Sequence, residues 1–228
     1  MKTLCAILCS LLLLIFVAPQ SGDALLFYGY GGESGLGFFE GSLTYTPLKD
    51  NATLEIWLKN TTPEAWGGYI TGFAFNNPDI PGIKGAISGI SFSDPDFDLI
   101  GGPAFDNGIN AMPLGYFDIG AALGGDWMGG GDPKPGLGFN ESRTFTFQLT
   151  GTGLTSLNEM MFLNELSSGG SPGMGGQFFG ARFRGFTNGG SDKVPGNPDP
   201  IPEPGTLVLL GSGLVGFGAF GWMRRRKS

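Results

Sequence analysis

The chain contains no histidine, and its two cysteines, Cys5 and Cys9, both fall within the first ten residues. Without histidine there is no His-based catalytic triad anywhere in the sequence. Beyond Cys9 there is also no disulfide and no Cys/His zinc site. Charge is scarce as well: charged residues make up 14% of the 228, with a net charge of −7. Bases are scarcest in the middle. Between Leu25 and Gly205 there are 19 acids against 8 bases, a balance of −11. Such an excess of negative charge repels phosphate backbones, so nucleic acid is not an expected partner.

Glycine and phenylalanine are abundant instead, with 43 Gly and 20 Phe alongside 16 Pro. Gly and Pro are poor helix interiors, whereas so many aromatic rings need burial in a core. Short strands joined by Gly/Pro turns satisfy both demands. Period-two alternation supports this at several places. Leu54, Ile56 and Leu58 alternate with Glu55, Trp57 and Lys59, and Phe145, Phe147 and Leu149 alternate with Thr144, Thr146 and Gln148. Phe179, Ala181 and Phe183 alternate with Arg182 and Arg184. Fainter strand signals cover 42–46, 69–75, 87–92 and 116–119. One helix is expected, with Ser156 and Glu159 as a capping box ahead of Leu157, Met160, Met161, Leu163 and Leu166. The expected architecture is all-β: a single antiparallel β-sandwich, jelly-roll-like, closed at one end by this short helix.

Two apolar segments flank this middle. Lys2, an apolar run from Leu4 to Val17 and the small residues Ser21 to Ala24 have the layout of a secretory signal peptide, residues 1–24, with cleavage at Ala24. The β-sandwich ectodomain is assigned to residues 25–191. Residues 192–205 carry Pro195, Pro198, Pro200, Pro202 and Pro204, and read as an extended linker. Residues 206–223 then contain no charged side chain, and about 18 helical residues rise roughly 27 Å, close to the hydrocarbon thickness of a bilayer. Arg224, Arg225, Arg226 and Lys227 follow directly, and such a basic end, residues 224–228, stays in the cytoplasm with the domain outside.

Pro202-Glu203-Pro204, the uncharged glycine-containing span and the terminal arginines occur in that order over about the last 27 residues. This arrangement resembles the PEP-CTERM sorting signal. The resemblance implies export in a Gram-negative bacterium that makes exopolysaccharide. It also implies recognition by exosortase, a membrane-embedded cysteine transpeptidase or protease, with processing near Pro202-Glu203-Pro204. Such proteins are associated with the cell surface or extracellular matrix. The stretch from Gly180 to Phe186 is loosely similar to a closing segment of β-rich domains in PEP-CTERM proteins, and no activity comes with that similarity.

Chemistry within the ectodomain is sparsely marked. Asp94, Asp96 and Asp98 resemble the start of a calcium loop, where alternate carboxylates converge on a hard cation. Leu99 stands where that loop wants its glycine, so a solvated acidic turn is the competing reading, and Ca2+ is the only cofactor the sequence suggests. No acid, serine or lysine sits in a catalytic motif, so no catalytic residue is assigned and the domain is expected not to be an enzyme. A carboxylate hydrolase is the third-ranked reading. Trp57, on the polar phase of its strand, and Trp66 and Trp127 are candidate platforms for stacking on a sugar. The leading functional expectation is a non-enzymatic surface or matrix protein that contributes to biofilm or envelope structure. The alternative is a carbohydrate-binding module for exopolysaccharide.

Overall fold

A computed structural model describes residues 24–199 apart from 105, 106 and 175. The chain lays down β1 (Leu25–Gly29), β2 (Phe39–Leu48), β3 (Asn51–Asn60), β4 (Gly67–Phe75), β5 (Ile87–Phe92) and β6 (Phe97–Gly101). It continues with β7 (Ile109–Asn110), β8 (Tyr116–Phe117), β9 (Ile119–Leu123) and β10 (Ser142–Gly151). A six-residue helix α1 (Glu159–Asn164) precedes β11 (Phe179–Phe186) and β12 (Ser191–Pro198). Ten strands form one antiparallel sheet in the order β5-β10-β3-β2-β1-β12-β11-β4-β9-β6, and β7 and β8 pair separately.

The all-β, antiparallel expectation holds, but the expected jelly-roll-like sandwich of two sheets does not: both faces of the core belong to one continuous ten-stranded sheet. That sheet rolls up until its halves face each other across closely packed phenylalanines. Phe73 of β4 lies 4.7 Å from Phe145 of β10 and 5.8 Å from Phe179 of β11, centroid to centroid. Phe75 meets Phe147 at 5.5 Å, and Phe97 of β6 meets Phe145 at 4.9 Å. A fully buried aromatic ring of this kind contributes about 3–5 kcal/mol relative to alanine, which is why the phenylalanines rather than charge pairs hold the roll closed.

The two edge strands, β5 and β6, are consecutive in sequence, and only Ser93–Asp96 separate them. Arg143 on β10 clasps that connection. Its guanidinium reaches Asp94 Oδ1 at 2.8 Å and Asp96 Oδ2 at 3.0 Å, and sits 5.5 Å above the ring of Phe97. The same Asp94 oxygen accepts the backbone N–H groups of Asp96 and Phe97, each at 3.0 Å, so one carboxylate shapes the turn at the seam.

Outside the sheet the two halves differ. The outer face of β4, β9 and β6 carries a second small core in which Ala74, Ala122 and Ile100 pack with Ile109, Leu114, Phe117 and Trp127. Close approach there depends on missing side chains: a Cβ on Gly180 would stand 2.8 Å from Leu114 Cδ1. Arg182 and Arg184, on the outer face of β11, hold the glycine-rich loop that follows β9. Arg182 Nη1 donates to the Trp127 carbonyl, and Arg184 donates to the Gly130 and Gly131 carbonyls at 3.2 and 2.6 Å. Burial pushes the Arg182 guanidinium below its ordinary pKa, and the neighbouring Arg184 charge adds to the effect. This pair of arginines gives the Gly180–Phe186 stretch a structural purpose.

Two further sequence expectations need correction. The linker was expected to begin at residue 192, but Ser191–Pro198 forms β12 in the middle of the sheet. Pro195 is tolerated because it falls at the last pair with β11, just before the strand passes to β1 at Gly196. Asp192 secures the segment: fully buried, it accepts backbone N–H groups from Ser34, Leu36, Gly37 and Lys193 at 2.7–2.9 Å. The helix cap also differs. Asn158, not Ser156, caps α1 by accepting the Met161 N–H at 3.2 Å, while Ser156 closes a 3-10 turn. Glu159 is used elsewhere, accepting the Tyr45 N–H at 3.0 Å.

Candidate functional site

The strand register brings both ends of the described chain together. Phe27 on β1 pairs with Pro198 on β12, and the Asp199 N–H donates to the Leu26 carbonyl at 3.0 Å. The entry and the exit of the domain are thus neighbours on one rim of the roll. That rim also holds the β2–β3 turn, the start of β11 and α1. The opposite rim holds the loops after β1, β3 and β11.

The N-terminal segment through residue 23 and everything from Pro200 onward lie outside the described residues. Pro202, Glu203, Pro204, Arg224, Arg225, Arg226 and the expected span 206–223 therefore receive no structural account. Ala24, the expected cleavage position, is exposed and immediately precedes β1. Among the described residues no helix is long and apolar enough to cross a membrane.

The structure separates the three candidate tryptophans. Trp57 lies half-buried on the outer face of β3, opposite Ser42 of β2 and Thr144 of β10. It lines a groove of about 350 Å³ with Leu26, Tyr28, Glu40 and Asp199. Beside it the rings of Tyr28 and Tyr30 stack at 5.5 Å and 9°, and Tyr30 is exposed. Sequence reading missed these tyrosines; Tyr28 lies on β1 and Tyr30 directly follows the strand. Trp66 is 41% exposed on the opposite rim, where it leans on Phe38 at 5.9 Å. Trp57 and Trp66 thus belong to separate surfaces. Trp127 is corrected outright: only 5% exposed within the second core, it offers no ring face to a sugar in solution.

The aspartates follow a similar logic. Asp94 and Asp96 are bound to Arg143 as described, and Asp98 points outward from β6, opposite Ala122 of β9. A single guanidinium is already paired with two of the three carboxylates the calcium reading required. Among the described residues no group of three or more His, Cys, Asp or Glu side chains is arranged to hold a metal ion. Elsewhere the acids also serve the fold. Glu141 accepts the Gly138 N–H at 2.8 Å, and Glu165 accepts the Asp79 N–H at 3.3 Å. Burial, reinforced by the charges of Asp79 and Asp118 against the opposing Asp79 N–H and Lys84, raises the Glu165 pKa above the ordinary carboxylate value. The Tyr45 hydroxyl is pushed well above its usual range by burial and by Glu159, and it donates to the Leu154 carbonyl at 2.8 Å.

Comparison with curated proteins and with solved structures finds no match to either. Comparison with family models finds one, the PEP-CTERM protein-sorting motif, over residues 200–227. The match begins one residue after Asp199, where the described domain ends beside its own beginning. The chain therefore carries, over its last residues, the PEP-CTERM protein-sorting motif, a signal that implies export and processing by exosortase at the membrane.

Proposed function

We propose that the chain is a non-enzymatic surface or matrix protein: a rolled β-sheet domain exported behind a cleaved leader, held by its C-terminal span and released or transferred by exosortase near Pro202-Glu203-Pro204. In this reading the domain contributes to biofilm or envelope structure through its body rather than through a reaction. The single observation behind it is the meeting of the two ends of the described domain on one rim, with the sorting motif directly after Asp199. Such a layout hangs the domain from one end and presents the opposite loops outward. The engagement of Asp94, Asp96, Asp192, Glu141 and Glu159 in turns and backbone contacts supports a structural use of the acids. Cell fractionation tests it: the mature protein is expected in the surface or matrix fraction, and deletion of residues 202–228 is expected to leave it soluble and unanchored. A screen of glycosides and esters is expected to show no turnover.

The second reading, a carbohydrate-binding module, draws on the Trp57 groove. A half-exposed indole beside a stacked tyrosine pair, with Glu40 and Asp199 carboxylates as hydrogen-bond acceptors, has the mixture of flat apolar faces and polar rim that sugar rings need. In this reading Trp57→Ala weakens binding of the mature protein to extracted exopolysaccharide by about tenfold or more, equivalent to roughly 1.4 kcal/mol. Unchanged binding in that variant, or none by the wild type, removes it.

A further inference from the structure

The rim at which the chain leaves the domain is ringed by exposed apolar side chains. Leu26 on β1 is 54% exposed, Leu48 at the β2–β3 turn 73%, Met160 in α1 40% and Leu166 just after α1 52%. Leu26 shares the Trp57 groove with Asp199, and Met160 and Leu166 share a second groove, of about 480 Å³, with the same Asp199. Leu26, Met160 and Leu166 thus stand around the exit point itself, and Leu48 projects from the same rim at the β2–β3 turn. Single exposed leucines are ordinary on protein surfaces, but a ring of them around a tether is not random scatter.

The length of the tether says what the ring faces. Six residues, 200–205, separate Asp199 from the uncharged run that begins at Thr206. Proline-rich chain extends about 3.1 Å per residue, so this segment reaches at most about 19 Å. The polar layer of a bilayer occupies about 6 Å of that on one side. The rim therefore rides no more than about 13 Å above the headgroups, roughly the width of one helix. The charges near the ring are few and mostly engaged: Lys49 and Asp50 follow Leu48 and pair with each other at 3.5 Å, Glu159 and Glu165 each accept a backbone N–H, and Glu40 and Asp199 line the groove beside Leu26.

We propose that this rim docks on the lipid bilayer while the tail is in place, with Leu48 and Leu166 entering the headgroup layer and the apolar ring as the contact. The contact is hydrophobic, so a zwitterionic surface suffices. The proposal rests on the reading that residues 206–223 span the membrane. Docking sets the domain upright over its anchor and brings Pro202-Glu203-Pro204 to the height of a membrane-embedded processing enzyme.

The test uses the full chain with Cys5 and Cys9 replaced by serine, which leaves no cysteine, reconstituted into phosphatidylcholine vesicles. Single variants Leu48→Cys, Leu166→Cys and, on the opposite rim, Glu64→Cys are labelled with an environment-sensitive dye. Each is then exposed to quenchers attached at the lipid headgroup. The expected result is quenching several-fold stronger at positions 48 and 166 than at 64. Equal, weak quenching at all three in protein that floats with the vesicles overturns the docking and leaves the anchor standing. Protein that fails to float overturns the span reading and the docking with it.

Discussion

The two halves of the rolled sheet share one core and treat their outer faces differently. Strands β5, β10, β3, β2 and β1 turn their outer face to solvent, and there polar and aromatic residues alternate cleanly with buried ones. Strands β11, β4 and β9 are largely covered on that side by the β7–β8 hairpin, by Trp127 and by the segment before β11, so both of their faces are buried over much of their length, while the edge strand β6 keeps Asp98 exposed. An open outer face keeps side chains free for contact, and it is where Trp57, Tyr28 and Tyr30 sit. A covered outer face demands small residues, and there Gly72, Ala74, Gly120, Ala122 and Gly180 stand in place of polar ones. One half presents a surface, and the other thickens the wall.

That contrast can be broken first at its shared centre. Phe73→Ala empties the contact between the halves, and the loss is expected at about 3–5 kcal/mol of unfolding free energy by denaturant titration. A loss below about 1 kcal/mol would mean that the halves do not depend on their common core. The outer faces are distinguished by matched substitutions. Gly180→Val, which drives a side chain into Leu114, is expected to cost about 1–3 kcal/mol by overpacking. Thr144→Val on the open face is expected to stay within about 0.5 kcal/mol. Equal effects would erase the distinction.

The smallest effect is a pH dependence near α1. Glu165 holds its proton more tightly folded than unfolded, so the native state binds more protons between the two pKa values. In that window stability falls as pH rises. Relative to Glu165→Gln, the wild type is therefore expected to lose stability as pH rises from the unfolded carboxylate value, about 4.3, through the raised folded one. Below that window the two curves run parallel. A wild type that instead gains on the variant with rising pH contradicts the assignment. Melting temperatures of both proteins across pH 3–8 decide it.

The same contrast explains what could be read from the sequence. β3 and β10 were legible because their outer residues, Glu55, Trp57, Thr144 and Gln148, are polar or large, so the period of two stands out. β9, Ile-Gly-Ala-Ala-Leu, was not, because a strand buried on both faces has no polar phase. β12 was hidden by its prolines, whose permitted places at the ends of pairing appear only once the register is known. For the candidate site, the sorting segment was fully legible, since its three elements are contiguous. Trp57 was placed correctly on the outer face by its phase alone. Trp127 was not placed, because what covers it comes from strands far away in sequence. Nor was the use of Asp94 and Asp96, whose partner Arg143 lies 49 residues from Asp94.

In the proposed reading, a folded domain whose two ends meet on one rim is cut from its anchor there. The intact mass of the protein recovered from the cell surface tests this most directly. A chain that starts at Leu25 and ends within residues 200–205 is the predicted result. Surface protein that still carries Arg224 to Ser228, or still begins at Met1, would contradict it.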